Sequence, residues 1–574
     1  MGSWWQESVV YQIYPRSFQD TNRDGIGDIP GIISRLDELK ELGVGVIWLS
    51  PVYKSPDADN GYDISDYCDI SPKFGTLADM DELFAQSSKR GIKIIMDLVI
   101  NHTSDEHEWF INSRDKDSPY RDYYIWRPGK PGGKPGGKSG GNASGKPPNN
   151  WTGFFMGSAW EFDEKSGEYY LHLFDKKQPD LNYNNPKVIA EVKDVMRFWL
   201  DRGAAGFRCD VINIIYKTSL DDGKFSVAVR GLEHYKSQPG MHEILKELRR
   251  DVLDHYDCFT VGESVFVDLD EAKLLCDPER SELDMLFYFD HLEVDRRVSR
   301  YIPKKFRAKR LLEVYTKWQQ GLHWNAIYLE NHDQPRIVSH YGDDTNYHER
   351  SAKLLATMQL TLRGTLFIYQ GQEIGMTNFD FDRLSQLNDV ESYNIDKLLR
   401  SLFIPKRTRW NWIKTASRDN ARTPMQWSML PGAGFTDGTP WLGINGNHVR
   451  INYMDQQRDP DSILNYYRKM IALRASSETL KYGDFAPLYA KGGVIAYSRT
   501  LGDERFITLL NFSGKNASAA IDRLTSASSG GSEGAGHVSI NPALTSISIA
   551  ASNIGRQTYD GSLSPWEAVV LTLS

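Results

Sequence analysis

A chain of 574 residues exceeds one typical domain, and its 40% hydrophobic and 25% charged content is that of an ordinary soluble globular protein that can bury a large core without disulfide staples. A net charge of -8 over that length leaves no basic footprint, so nucleic acid is not an expected partner. There is no run of about 18 apolar residues, and Met1-Gly-Ser-Trp-Trp-Gln-Glu lacks the basic and apolar parts of a leader, so membrane association and export are not expected either.

The four cysteines, Cys68, Cys209, Cys258 and Cys276, are scattered without metal-ligand spacing and read as free thiols in a reducing, cytoplasmic setting. A monomer is expected. Aromatic residues reach 12%, which fits rings that stack on sugar faces but fits a large aromatic core slightly better for any single ring.

In chain order, Val9–Tyr14 is a short apolar strand that leads into Asp20-Thr-Asn-Arg-Asp-Gly-Ile-Gly-Asp28. Side-chain oxygens at Asp20, Asn22 and Asp24, the carbonyl of Ile26 and a carboxylate at Asp28 reproduce three-quarters of a calcium loop. The bidentate Glu of a complete loop is replaced by Gly31, and a plain Asp/Asn/Gly turn is the competing reading. Helical periodicity over 30–42 then precedes an apolar strand at 44–50. The helix 77–90 precedes the strand 92–99, which runs into Asp97-Leu-Val-Ile-Asn-His102.

After an interruption the rhythm resumes with helix 186–202, strand 205–211, helix 240–255 and strand 259–264. Strand candidates at 284–289, 324–330 and 365–370 follow, with a helix at 348–362 between the last two. Eight apolar strands separated mostly by helices predict an α/β fold, a (β/α)8 TIM barrel, whose active residues collect at the strands' C-terminal ends. Asp97, Asn101, His102, Arg208, Asp210, Glu263, His332 and Asp333 all fall there.

The interruption, 104–185, reads as an inserted, loop-rich domain between the barrel segments 1–103 and 186–490. Its Gly/Pro/Lys tract at 128–150 has no apolar content and reads as an exposed, mobile loop with solvated lysines. After the eighth strand, 371–441 reads as irregular, with Ser417-Arg-Asp-Asn-Ala-Arg-Thr-Pro-Met-Gln-Trp427 as its densest polar cluster, and a helix follows at 462–474. From about 491 the short alternating runs 494–499, 506–512, 538–540 and 568–573 predict a C-terminal antiparallel β-sandwich with a Ser/Gly-rich link at 526–536.

Three strand-end carboxylates, Asp210, Glu263 and Asp333, lack metal-ligand spacing and suit glycoside hydrolysis, which needs one carboxyl as acid and another as nucleophile or base. A buried Arg–Asp pair by itself is as readily scaffolding. Arg208, two residues before Asp210, favours its ionised form, as a nucleophile requires. Glu263 follows Gly262 among apolar neighbours, a setting that raises a carboxyl pKa and suits a proton donor. His102 and His332 could donate to sugar hydroxyls, although a lone His is more often a satisfied structural residue.

The blocks Asp97-Leu-Val-Ile-Asn-His102, Gln178-Pro-Asp-Leu-Asn182, Gly206-Phe-Arg-Cys-Asp210, Val261-Gly-Glu263 and Asn331-His-Asp333 together resemble the α-amylase family, glycoside hydrolase family 13. Within it the chain is similar to the oligo-1,6-glucosidase, dextran glucosidase and sucrose isomerase group over nearly its whole length. The resemblance implies a retaining exo-acting α-glucosidase in which Asp210 is the nucleophile, Glu263 the acid/base and Asp333 the transition-state stabiliser. It places Asp63, His102, Arg208, His332 and Arg418 around the terminal glucose, with Asp63 and Arg418 closing the pocket. It also implies a structural calcium at Asp20–Asp28, no organic cofactor and a small oligosaccharide as partner.

Val211, directly after the nucleophile, is what α-1,6-cleaving relatives tend to carry, where α-1,4-cleaving ones carry Thr; a buried strand would choose Val regardless. Glu293-Val-Asp-Arg-Arg297 keeps two residues, Asp295 and Arg296, of the Arg-Leu-Asp-Arg-Asp motif of sucrose isomerases, which puts isomerisation in doubt. The alternatives are a sucrose- or α-1,4-directed glucosidase or transglucosidase and a trehalose-6-phosphate hydrolase, which needs a cationic phosphate site. A non-catalytic sugar-binding subunit is the reading from another class, and an intact acid–nucleophile pair argues against it.

Overall fold

The strand and helix alternation closes into a ring in a computed structural model that describes residues 2–131, 145–226, 229–297, 300–519 and 547–573. Eight parallel strands form one sheet: β1 (Val9–Ile13), β2 (Val46–Leu49), β3 (Lys93–Leu98), β4 (Gly206–Cys209), β5 (Phe259–Glu263), β6 (Met285–Phe287), β7 (Ala326–Ile327) and β8 (Thr365–Tyr369). Their order is β6-β5-β4-β3-β2-β1-β8-β7, with the end strands β6 and β7 lying against each other. The register sets Asp97 beside Arg208 and Arg208 beside Val261. Gly206 is obligatory here, because a Cβ on it would lie 1.9 Å from the carbonyl oxygen of Phe259.

The helices form where local signals agree with burial. Pro186–Arg202 starts on Asn185, whose side chain accepts from the Lys187 N–H, and stops at Gly203 with φ +115°. Its buried face, Val188, Val192, Val195, Met196 and Trp199, recurs at helical spacing and packs toward the barrel. The helix expected over 30–42 is two, Ile29–Ser34 and Leu36–Leu42, broken at Arg35. A helix unforeseen in the sequence, Ala308–Gly321, fills the gap between β6 and β7.

The segment 371–441, expected to be irregular, holds the helices Val390–Ser401 and Lys406–Ala416. Each buries only a narrow stripe, Ile395 and Leu399 or Ile413 and Ala416, in a separate cluster with Tyr301, Phe381 and Leu442. So few apolar positions give a weak periodic signal, and tertiary packing supplies the rest.

Between β3 and β4 a three-stranded antiparallel sheet, ordered Trp126–Arg127, Glu168–Leu171, Trp160–Asp163, packs Trp151, Trp160 and Leu171 against Val211 and Ile214. The Gly/Pro/Lys tract begins from a bridge between Lys130 and Lys146, and the reading of its remainder as a mobile loop falls outside the described residues. At the C-terminal end a five-stranded antiparallel sheet and the short pair Ala517–Ser518 and Ser562–Leu563 enclose Val494, Leu509, Ala519, Leu563 and Val569 as a sandwich. The run expected at 538–540 also lies outside the described residues. All four cysteines are free. Among the described residues no helix is long and apolar enough to cross a membrane.

Candidate active site

A cavity of about 240 Å³ opens at the C-terminal ends of the strands, lined by Asp59, Tyr62, His102, Gln178, Asp210, Val211, Glu263, Asp333 and Arg418 and walled by Phe154, Phe155 and Phe174. That is below the range of about 300–1,000 Å³ usual for pockets that take drug-sized ligands, so it suits a ligand as small as one sugar ring.

At its base Arg208 is buried and bonds three carboxylates. Its Nη1 donates to Asp97 Oδ1 and to Asp210 Oδ1, each at 2.7 Å, and its Nη2 donates to Glu263 Oε2. Arg208 was expected to keep Asp210 ionised, but its one charge is divided among three acids. Burial therefore prevails, and it pushes the carboxyls of Asp210, Glu263 and Asp97 up from their usual range against the pull of Arg208. Asp97 Oδ2 also accepts from Tyr62 at 3.0 Å and Trp48 at 3.2 Å, so it is an anchor of Arg208 beneath the cavity.

Asp333 behaves oppositely. Burial would raise it, but His332, Arg418, Arg422 and Arg300 together hold its carboxyl well below the usual range. Arg422 Nη2 donates to Asp333 Oδ1 at 2.7 Å and Arg418 Nη1 lies 3.4 Å from the same atom. The Gln12 amide Nε2 donates to His332 Nδ1 at 2.8 Å, which leaves the ring proton on Nε2, 3.6 Å from Asp333 Oδ2. Burial lowers His332 to about 3, so it is a neutral donor. His102 is likewise lowered by burial to about 4, with Nε2 set between the Tyr62 carbonyl at 3.0 Å and Gln178 Nε2 at 3.0 Å. The Tyr62 ring stacks on His332, 5.2 Å away and 4° from parallel.

The far wall departs from expectation. Asp63, expected to close the pocket, points into its own turn: its carboxylate accepts from Ser55 Oγ at 3.0 Å, Ala58 N–H at 2.8 Å and Asp59 N–H at 3.0 Å. The carboxylate at the wall is Asp59, 3.5 Å from Arg418 Nη2 and bonded by Gln178 at 3.2 Å. Asp66, a few residues on, lies outside the cavity lining and faces Lys54. Arg418 is part of the cavity lining, fixed by Asp389 at 2.8 Å.

Four further residues of this region were not singled out in the sequence. Arg422 has one signal, its place in the polar cluster 417–427 four residues after Arg418. Asp389 caps the unforeseen helix Val390–Ser401, while Glu391 and Arg300 pair at the mouth. Nothing local marks Glu391 or Arg300, because long-range packing brings them there.

Val211 is not part of β4, which ends at Cys209, and its backbone is left-handed with φ +35°. A β-branched residue there costs about 1–3 kcal/mol, so strand preference does not account for it. Its side chain joins the cavity lining and the cluster with Trp151. Asp295, from the remnant of the isomerase motif, bonds His340 at 3.0 Å and is not among the cavity's lining residues.

In the Asp20–Asp28 loop the side chains turn inward. Asp20 accepts from the N–H groups of Asn22, Arg23 and Gly25 and from Thr436, and Asp28 accepts from Thr21 and Gly31. The donor set is oxygen only, as calcium takes. Among the described residues, however, no three His, Cys, Asp or Glu side chains converge as a metal cluster.

A barrel that presents an acid pair on one guanidinium beside a third, ionised carboxylate defines the class of glycoside hydrolases that work through two carboxyl groups. Residues 12–483 match the catalytic domain of alpha amylase, and the chain belongs to that family. It is 51% identical over 523 residues to an oligo-1,6-glucosidase of Parageobacillus thermoglucosidasius, covering 89% of this chain and 91% of the relative. It is 44% identical to a glucan 1,6-alpha-glucosidase of Streptococcus pneumoniae, over 90% of this chain and 93% of the relative. Among solved structures it resembles isomaltulose synthase from Klebsiella sp. LX3, with a TM-score of 0.90 and 40% identity over the whole of both chains.

Proposed function

We propose that this chain is a retaining, exo-acting α-glucosidase that releases glucose from the non-reducing end of α-1,6-linked glucosides such as isomaltose and panose. One observation carries the mechanism: Asp210 and Glu263 are held by the two terminal nitrogens of one guanidinium, that of Arg208. Inverting enzymes hold their carboxyls about 6.5–9.5 Å apart to admit a water, and two carboxyls bonded to neighbouring nitrogens of one guanidinium favour the closer spacing of about 5–5.5 Å of retaining enzymes.

In the first step an Asp210 carboxylate oxygen bonds to the anomeric carbon as the bond to the leaving oxygen breaks, and Glu263 gives that oxygen its proton. In the second, Glu263 takes a proton from water, the water oxygen bonds to the anomeric carbon, and Asp210 leaves. Asp333, kept ionised by Arg418 and Arg422, accepts from ring hydroxyls and opposes the positive charge of the transition state. His102 and the Asp59–Arg418 pair grip the other hydroxyls and limit the cavity to one glucosyl unit, and His332, buried beside Asp333, supports that carboxylate. Arg208 holds the acid pair in place.

The linkage preference rests on the oligo-1,6-glucosidase relatives and on Val211, whose strained backbone sets a branched apolar side chain against the cavity. A phosphorylated substrate is disfavoured: the two guanidiniums in the lining, Arg300 and Arg418, are engaged by Glu391 and Asp389. Initial rates on isomaltose, maltose, sucrose, trehalose and trehalose 6-phosphate test the reading. Isomaltose should lead, and an enzyme silent on it while cleaving maltose or sucrose would overturn the linkage.

Asp20, Asn22, Asp24, the Ile26 carbonyl and Asp28 would hold a calcium ion that braces the loop at the end of β1. Asp20, Asp24 and Asp28 place three carboxylates in nine residues, and the one cation among them, Arg23, faces Asp437. The free thiols suit a reducing, cytoplasmic setting.

A further inference from the structure

Phe266 stands three residues after Glu263 with 55% of its surface exposed and a left-handed backbone, φ +51°. A bulky residue at such a φ is strained and persists only where its surroundings hold it. Asn213 clamps the preceding residue on both sides: its Oδ1 accepts from the Val265 N–H and its Nδ2 donates to the Val265 carbonyl, each at 2.9 Å. Lys236 Nζ donates to the Phe266 carbonyl at 3.2 Å and pairs with Glu271 at 2.8 Å.

The ring also extends a stack that starts in the cavity. Phe174 and Phe154 line it and lie 5.0 Å apart at 12°. Phe154 in turn stacks with Phe266 at 6.2 Å and 16°. Were Phe266 merely a cover for Phe154, its own ring would be buried and a residue at ease with this backbone would serve. Instead more than half of it faces solvent. Val265, between Glu263 and Phe266, is itself part of the cavity lining, which puts the exposed ring on the proton donor's side, where the leaving group departs.

We propose that Phe266 is a stacking platform for the leaving portion of the substrate, contacting the sugar ring beyond the one attached to the cleaved bond. It would thus select isomaltooligosaccharides of three or more units over the disaccharide. This rests on the α-glucosidase reading above. The pyranose face carries axial C–H groups that pack on an aromatic ring, as apolar partners do.

The test is the ratio of kcat/KM on isomaltotriose to that on isomaltose for the full chain and for F266A, F266G and F266Y. Glycine suits the backbone, so F266G should fold at least as well as the wild type. The ratio should fall about three- to tenfold in F266A and F266G, mainly through KM, and be kept by F266Y. An unchanged ratio in F266G, or equal losses on both substrates, would overturn the platform. Failure of the linkage reading is separate: it shows as a wild type inactive on isomaltose, and the maltotriose-to-maltose ratio then reads the platform.

Discussion

Asp210 and Glu263 hang from the two terminal nitrogens of one guanidinium, that of Arg208. That arrangement dictates the stereochemistry. Proton NMR during hydrolysis of isomaltose should show α-glucose first, with the β-anomer appearing only by mutarotation; β-glucose as the first product would end the double-displacement mechanism. Asp210→Asn should lower kcat by about four orders of magnitude, and Glu263→Gln by about two to four, with circular dichroism unchanged.

Asp59 and Asp63 are four residues apart and have different tasks. Asp59→Ala removes a carboxylate from the cavity wall and leaves Arg418 partly unpaired, so kcat/KM should drop about ten- to a hundredfold, the worth of charged hydrogen bonds. Asp63→Ala removes acceptors for two backbone N–H groups and Ser55, so it should lower the melting temperature first. The reverse pattern would restore Asp63 to the pocket.

Val211→Thr keeps the branching and the volume but puts a hydroxyl into the lining. If this position sets the linkage, the maltose-to-isomaltose rate ratio should rise severalfold; a ratio that does not move would place linkage selection elsewhere.

Glu373 gives a pH signature away from the site. It is buried, Oε1 accepts from Tyr11 at 2.8 Å, and burial pushes its pKa up to about 7. A carboxyl raised on folding stabilises fully below its unfolded value and loses that contribution as pH rises through the folded one. The window is therefore about pH 4.5 to 7, and the loss is of order 3 kcal/mol. The melting temperature of Glu373→Gln relative to the wild type should climb between pH 5 and 8. A difference constant with pH would mean that Glu373 titrates normally.

If the Asp20–Asp28 loop holds calcium, chelation should lower the melting temperature by several degrees while leaving activity at low temperature largely intact, and added calcium should restore it. No shift on chelation would remove the ion from this protein.

What the sequence determined by itself was whatever repeats or is local. Apolar strands alternating with amphipathic helices announced the barrel, and carboxylates at strand ends announced where chemistry would collect, because strand direction alone sets which end they occupy. Local reading failed where position depends on contacts distant along the chain. Asp59 and Asp63 are indistinguishable until the turn around Ser55 and Ala58 chooses which one faces inward. Arg300 and Glu391 line the cavity, with Asp389 and Arg422 behind it, only because a helical region too poor in apolar residues to be periodic packs beside Tyr301 there. The field at Asp210 is likewise decided by the fold: Arg208 pulls its carboxyl toward the ionised form, as its place two residues away implies, but the barrel divides that charge among three acids and withdraws all of them from water.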